Sequence, residues 1–220
     1  MTQSNPSHLV SVNVGLPRPA PWKNRTVVTG IFKEPVTGPV VARHLNLDGD
    51  RQADLSVHGG ADKAIYVYPS EHYEPWRREL ETTDLPWGMF GENLNTHGIA
   101  ENMVVIGERW HVGQAVLLVT QPRQPCYKLG LRFGRDDILR RFVRSRRTGW
   151  YVAVLREGAI TAGDPILIER PADSLTVAAV ADLLFAKAPN TAHLRLAATL
   201  PTLAEGLRTY FQKQLAQKDR

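Results

Sequence analysis

A single cysteine, Cys126, in 220 residues leaves nothing from which to build an intramolecular disulfide framework. It equally excludes thiolate-rich zinc sites, which need two to four cysteines at short spacing. Long hydrophobic runs are also missing. An unbroken run such as Ala115–Val119 falls far short of the roughly 18 residues that a membrane helix requires. No basic–apolar–small leader opens the chain, because Met1–His8 is polar and is followed by a strand-like run. The expectation is a soluble, cytoplasmic protein with no membrane association, in which the sequon Asn24-Arg25-Thr26 is a chance match. Gly-x-Gly-x-x-Gly, the phosphate-binding Gly-x4-Gly-Lys-Ser/Thr, His-Glu-x-x-His and Gly-x-Ser-x-Gly are all absent. Their absence argues against P-loop nucleotide hydrolysis, zincin proteolysis and the α/β-hydrolases.

What is present fits one domain with a small appendage, and 43% hydrophobic residues suffice for a core without staples. Lysine plus arginine exceeds the acids by 27 − 22 = 5, a modest excess that tilts the partners toward anions. Up to about residue 170 the chain reads as short strands punctuated by glycine and proline. They are Leu9–Val14, Thr26–Phe32, Ala64–Tyr68, Val104–Ile106, Ala115–Thr120, Tyr151–Leu155 and Pro165–Glu169. Their irregular spacing, without regular helices between them, predicts a barrel or strongly bent antiparallel sheet. Two helices interrupt it. One runs from an N-cap at Ser70 to Leu80, with Pro75 just past the first turn, where a kink or irregular start is expected. The other spans about Asp136–Arg147, with Ile138, Leu139, Phe142 and Val143 forming a packed stripe. After Pro171 and Asp173 the composition becomes alanine- and leucine-rich with helical spacing. Three short helices are predicted at about Leu175–Lys187, Asn190–Thr199 and Pro201–Gln217, with Ser174 or Thr176, then Asn190, as caps. The expected division is a β domain over residues 1–170 and a three-helix segment over 174–217.

Four segments could carry chemistry. In Gln121-Pro122-Arg123-Gln124-Pro125-Cys126-Tyr127-Lys128, two prolines stiffen a loop that presents Cys126 between two cations. A positive setting favours the thiolate, the form that binds metals; the alternative is a small packed hydrophobe, the fate of most free cysteines. His58-Gly59-Gly60-Ala61-Asp62-Lys63 can form an anion-binding nest of backbone amides with Lys63 and His58 as donors, or an ordinary strand connection. Phe90-Gly91-Glu92-Asn93-Leu94 carries a carboxylate suited to proton transfer and an amide suited to a heterocycle edge, although turns use the same residues for backbone reasons. The arginines from Arg132 to Arg147 form either a phosphate-binding face or a solvated helix face, and Asp136 and Asp137 within the run favour the second. His44, His72, His97 and His111 show no metal-ligand spacing, and Asp48, Asp50 and Asp54 lack the remainder of a calcium loop.

In order along the chain, these pieces resemble the YiiM-type MOSC-domain proteins, named for the C-terminal domain of molybdenum cofactor sulfurases. The resemblance runs through Val12-Asn13-Val14-Gly15, Thr29-Gly30-Ile31-Phe32-Lys33 and Gly49-Asp50-Arg51-Gln52-Ala53-Asp54. It continues through His58-Gly59-Gly60, Asp62-Lys63-Ala64, Tyr68-Pro69-Ser70-Glu71-His72-Tyr73 with Trp76, and Phe90-Gly91-Glu92-Asn93-Leu94. Its most telling part is Gln121-Pro122-Arg123 with Pro125-Cys126-Tyr127-Lys128-Leu129. The resemblance implies a mainly β, MOSC-type barrel followed by three helices, binding the molybdenum cofactor (molybdopterin with Mo). In it Cys126 is the molybdenum ligand, a role that suits a soft thiolate. Lys33, His58, Lys63 and Arg123 are its candidates for binding the phosphate or oxo groups, and Asn93 for orienting the pterin or substrate. The activity it implies is reduction of N-hydroxylated compounds, including 6-N-hydroxylaminopurine, which detoxifies mutagenic base analogues. Cys126 and His58 are its catalytic candidates. Electrons come from a separate flavin reductase, since this chain has no flavin or iron–sulfur motif of its own. Two other classes stay open: a non-catalytic carrier of the cofactor or of persulfide sulfur on Cys126, and a nucleic-acid binder, which is not expected. The C-terminal helices could shape the substrate entrance, form a homodimer contact or dock the reductase.

Overall fold

β-Branched and aromatic runs in the first 170 residues become strands, and the alanine–leucine segment after them becomes helices. A computed structural model describes residues 7–54 and 59–218. The strands are β1 (His8–Val14), β2 (Arg18–Trp22), β3 (Arg25–Thr29), β4 (Glu34–Pro35), β5 (Val40–Ala42), β6 (Ile65–Pro69), β7 (Leu94–His97), β8 (Arg109–Val112), β9 (Ala115–Pro122), β10 (Trp150–Arg156), β11 (Gly158–Ile160) and β12 (Ile166–Glu169). The helices are α1 (Tyr73–Leu80), α2 (Lys128–Phe133), α3 (Ile138–Ser145), α4 (Val177–Phe185), α5 (Thr191–Thr199) and α6 (Glu205–Lys218). Among the described residues no helix is long and apolar enough to cross a membrane.

Eight strands form one sheet in the order β12-β8-β9-β10-β6-β7-β1-β4. All its pairs are antiparallel except β6 with β7. Register shifts in the β9–β10 ladder, between Tyr151 and Val152 and between Val154 and Arg156, bend the sheet. It curls far enough for β1 to meet the entry to β12. Ile166 N donates to Ser7 O at 2.8 Å, Leu9 N donates to Asp164 O at 2.9 Å, and His8 bridges Pro165. The barrel so formed is filled by apolar side chains, with Trp110 and Trp150 edge to face at 5.7 Å between ring centroids.

β9 is buried along nearly its whole length rather than on alternate residues, because α4 packs against it from outside the barrel. α5 packs on α4 and α6 on α5, so one apolar cluster runs from Leu9 and Trp150 to Leu194 and Phe211. A second cluster outside the barrel is aromatic. Tyr68 and Phe90 stack at 4.5 Å, Trp76 Nε1 donates to Tyr68 Oη at 2.7 Å, and Phe142 of α3 completes it.

Several boundaries differ from the sequence expectation, each for a local reason. Val104–Ile106 is not a strand; it lies in turns and meets the start of α4 through one bridge, Val105–Thr176. Ser70 opens a short 3₁₀ turn and makes no capping bond, and α1 begins at Tyr73. Pro75 therefore falls inside the first α-turn, where an N–H has no intrahelical acceptor to lose, and no kink is needed. α3 stops at Ser145 because Arg146 adopts a left-handed φ of 58°. The last helix begins at Glu205 rather than Pro201, since residues 201–203 form a turn and Ala204 N donates to Thr120 O at 3.3 Å. Thr176 and Asn190 do cap α4 and α5, accepting from Ala179 N and His193 N, each at 3.0 Å.

Candidate functional site

β9 ends at Pro122, and the chain turns through Arg123, Gln124, Pro125 and Cys126 into α2. Arg123 points inward. Its guanidinium is buried, donates from Nη1 to Phe90 O at 2.5 Å, and lies 4.5 Å from the Tyr66 ring centroid. No carboxylate lies within ion-pair distance of it among the described residues. Burial opposes its charge, but the Tyr66 and Tyr151 oxygens beside it outweigh that and hold its proton more firmly than usual. Those two tyrosines are held neutral, burial being the main cause of their raised pKa. A buried cation without a carboxylate is costly unless something anionic faces it.

The opposite wall is the segment from Thr29 to Lys33. It approaches the next loop closely: a Cβ on Gly30 would stand 2.3 Å from Arg51 O. Behind this wall is a buried polar relay. Lys33 Nζ pairs with Asp50 Oδ1, which also accepts from Gly15 N at 3.0 Å. Asp50 Oδ2 accepts from Asn93 Nδ2 at 2.9 Å, and Asn93 Oδ1 accepts from Tyr66 N at 3.1 Å. Burial lowers the Lys33 pKa despite the opposing pull of Asp50. Asn93 spends its second amide proton on Asn13 O at 3.3 Å, so its side chain positions Asp50 and β6. A third wall comes from Gly59 and Lys63. Gly59 and Gly60 take φ of 91° and 84°, values that favour glycine. His58 lies outside the described residues.

Together these walls border a cleft of about 600 Å³ including its open mouth. Lys33, Arg51, Lys63, Arg123 and Lys128 line it, and no carboxylate does among the described residues. Cys126, partly buried, sits at its edge. Lys33, Lys63, Asn93, Arg123 and Cys126, far apart in sequence, thus border one space. Glu92 does not. It is fully buried and accepts from Tyr73 Oη, Gly88 N, Phe90 N and Asn95 Nδ2, and burial raises its pKa. The arginine-rich helix is largely committed elsewhere: Arg135 and Arg141 hold Asp137, Arg147 pairs with Glu79, and Arg146 pairs with Asp182. His72, His97 and His111 pair with Glu101, Glu71 and Glu169. Sequence reasoning weighed Asp50 only against a calcium loop, although its carboxylate organises the Lys33 wall, and it passed over the ring pair Tyr66 and Tyr151 as site residues. An aspartate beside Gly49 signals a turn before it signals a buried counter-ion.

The cationic cleft beside Cys126 lies in a chain with clear relatives. The MOSC domain matches residues 54–167, and the YiiM-like, 3-alpha helix domain matches residues 175–218. The uncharacterized protein YflK of Bacillus subtilis is 36% identical over 213 residues, covering 96% of this chain and 95% of that protein. The crystal structure of YiiM from Geobacillus stearothermophilus superposes with a TM-score of 0.80 at 33% identity, over 96% of this chain and 100% of that one. A protein of Gibberella moniliformis named a reductase is 40% identical over 149 residues, 66% of this chain but only 26% of that longer protein. The matches to YflK and to the Geobacillus YiiM run over nearly the whole of both chains, and the chain belongs to the MOSC-domain family, in its YiiM-like branch.

Proposed function

We propose that the chain binds the molybdenum cofactor in the cationic cleft and reduces N-hydroxylated compounds such as N-hydroxylaminopurines. The observation that carries this reading is the lining itself: among the described residues, five cations and no carboxylate surround one half-buried thiol. An anionic, phosphate-bearing pterin answers the uncompensated charge of Arg123, Lys63 and Lys128, and a soft thiolate suits molybdenum. The fungal relative named a reductase supports redox chemistry at such a site. When bound, the cofactor supplies a two-electron centre for the conversion of an N-hydroxylamine, with two electrons and two protons, to an amine and water. A separate flavin reductase is the proposed electron source.

The chain's own part is placement. Pro122 and Pro125 hold the Cys126 loop, Arg123 supplies fixed positive charge, and Tyr66 and Tyr151 keep water from its guanidinium. Lys33, neutralised in part by Asp50, contributes a positioned hydrogen-bond donor more than net charge. His58 is proposed as a proton donor.

The test is molybdenum by elemental analysis on protein from a cofactor-competent host, parent beside Cys126→Ala and Arg123→Ala. Near-stoichiometric metal in the parent, little in Cys126→Ala and partial loss in Arg123→Ala are expected, with thermal midpoints of Cys126→Ala and parent alike. Turnover persisting in a folded Cys126→Ala would sink the ligand assignment. Metal and pterin without turnover in the parent would instead identify a carrier.

A further inference from the structure

Seven arginines lie between Arg132 and Arg147, and folding accounts for most of them. Arg135 and Arg141 share Asp137, Arg146 pairs with Asp182, Arg147 pairs with Glu79, and Arg132 lies over the Phe32 ring. Arg140 and Arg144 have no such use. Both are exposed on α3, four residues apart, and neither forms an ion pair among the described residues. Like charges at that spacing face each other and destabilise a helix, so the fold gains nothing from keeping them.

The two arginines border a groove between α3 and α4 of about 900 Å³, including its open side. Its apolar lining is Leu139 and Val143 of α3 and Phe185 at the end of α4. Its charged lining is Arg140, Arg144 and Arg146, with no carboxylate among the described residues. Val143 and Phe185 are half-buried, yet belong to neither the barrel cluster nor the aromatic one. Arg146 ties the two sides together. Its Nε pairs with Asp182 of α4 at 3.1 Å, and its guanidinium lies 5.4 Å from the Phe185 ring centroid. It does so from a left-handed φ of 58°, which a residue other than glycine keeps only where its surroundings hold it. Asp182, the nearby carboxylate, is thereby neutralised, and the charge of Arg140 and Arg144 stays unanswered. Phe185 also walls a wider space of about 1540 Å³, including its mouth, and Cys126, Lys63 and Tyr151 border both that space and the cationic cleft. Leu207 and Tyr210 of α6 stand in the same wall. Whatever sits in the groove is thus set against the wall of a space that reaches Cys126.

We propose that the groove between α3 and α4 is the docking surface for an acidic electron-donor protein. Arg140 and Arg144 pair with its carboxylates, and an apolar side chain of the donor rests on Val143 and Phe185. This rests on the reductase reading, which creates the need for a donor. Converting an N-hydroxylamine to an amine and water breaks the N–O bond and takes two electrons and two protons, and the sequence carries no flavin or iron–sulfur motif to supply them. A reduced flavin on the partner gives up two electrons and two protons and is left oxidised. The groove adds the donor's seat and the sign of its charge. Transient redox encounters are small and steered by charge, which suits two arginines around a short apolar strip. Nucleic acid suits it less. A phosphate backbone is held by a track of free cations, and the four nearest arginines are already tied to carboxylates.

The experiment drives N-hydroxyladenine reduction by the cofactor-loaded protein in two ways. Reduced methyl viologen needs no docking surface, whereas NADPH with a clarified, nuclease-treated extract of the source organism supplies protein donors. Parent, Arg140→Glu/Arg144→Glu and Arg140→Lys/Arg144→Lys are compared at low and high salt, with molybdenum content and thermal midpoint recorded for each. Both arginines are exposed and stand outside the cleft, so viologen-driven turnover, metal content and midpoint are expected at the parental level throughout. Extract-driven turnover is expected to fall roughly tenfold or more on charge reversal, to stay within about twofold of the parent with lysines, and to lose its salt sensitivity in the reversed variant alone. Parental extract-driven turnover in the reversed variant would overturn the inference. So would an equal loss by both routes, because the arginines would then serve the fold or the cleft. An extract that fails to drive a parent which viologen drives would remove the protein donor as well. A single-stranded oligonucleotide shifted by the parent and not by the reversed variant, with both routes unchanged, would give the groove to nucleic acid instead. A loaded parent that viologen cannot drive would retire the reductase reading, and the donor with it.

Discussion

At the residue scale, buried polar groups do most of the organising. Asp50 satisfies a lysine, a backbone amide and Asn93, so the Lys33 wall is set by one carboxylate. Glu101 plays the same part on the far side of the sheet. Its carboxylate pairs with His72 Nε2 at 2.8 Å and accepts from Gly149 N at 2.8 Å. Burial pushes Glu101 up, but His72 and the Gly149 amide outweigh it and leave the carboxyl below its ordinary value of 4.5. The unfolded chain therefore holds more protons here than the folded one at acid pH. The stabilisation is complete above about pH 4.5 and is lost as pH falls through the folded-state value. Glu101→Gln should cost about 2 kcal/mol at pH 7, the scale of a hydrogen bond to a charged group. Urea unfolding of parent and variant at pH 7 and pH 3 reads this directly: the gap should narrow in acid, and an equal gap at both would refute the assignment. Such roles are hard to see in sequence. Arg123, Lys63 and Cys126 stand out as charge or sulfur beside rigid prolines and paired glycines, whereas Asp50 and Asn93 look like ordinary turn residues.

Elements were legible in proportion to their continuous apolar content. The cores of β1, β6, β9 and β10 show in the sequence because both faces of those strands are largely covered. β7 does not, because Asn95 and Thr96 are buried polar residues; Asn95 is tied to Asn13 and Glu92. Val104–Ile106 misleads for the reverse reason, its apolar side chains being buried from turns rather than from a strand. Helix starts were legible where a side chain caps and illegible where none does. Thr176 accepts from Ala179 N, but Ser70 makes no capping bond. Thr176→Ala should therefore cost about 1 kcal/mol, while Ser70→Ala should stay within about 0.5 kcal/mol of the parent. Guanidinium denaturation midpoints at constant slope distinguish the two, and equal costs would remove the capping argument.

For the whole molecule, the question is whether the helical segment and the barrel are one folding unit. Two family matches divide the chain at residues 167 and 175, yet the apolar cluster crosses that division without a break. Phe211, fully buried on α6, belongs to the same cluster as Trp110 and Trp150 inside the barrel. The helices α4, α5 and α6 are each too short to persist in water unsupported. Their burial face is shared with β9, so losing it should expose the barrel as well. Phe211→Ala is accordingly expected to cost about 3–5 kcal/mol, as large-to-small changes in packed cores do. The readout is clean because all five tryptophans precede residue 170 while α4, α5 and α6 contribute much of the helical ellipticity. Tryptophan fluorescence should shift to lower denaturant together with ellipticity at 222 nm in this variant. If fluorescence instead keeps the parental midpoint while ellipticity shifts alone, the helices fold as a separate unit. The wall that Phe185, Leu207 and Tyr210 form beside Cys126 would then be able to leave it without unfolding the cationic cleft.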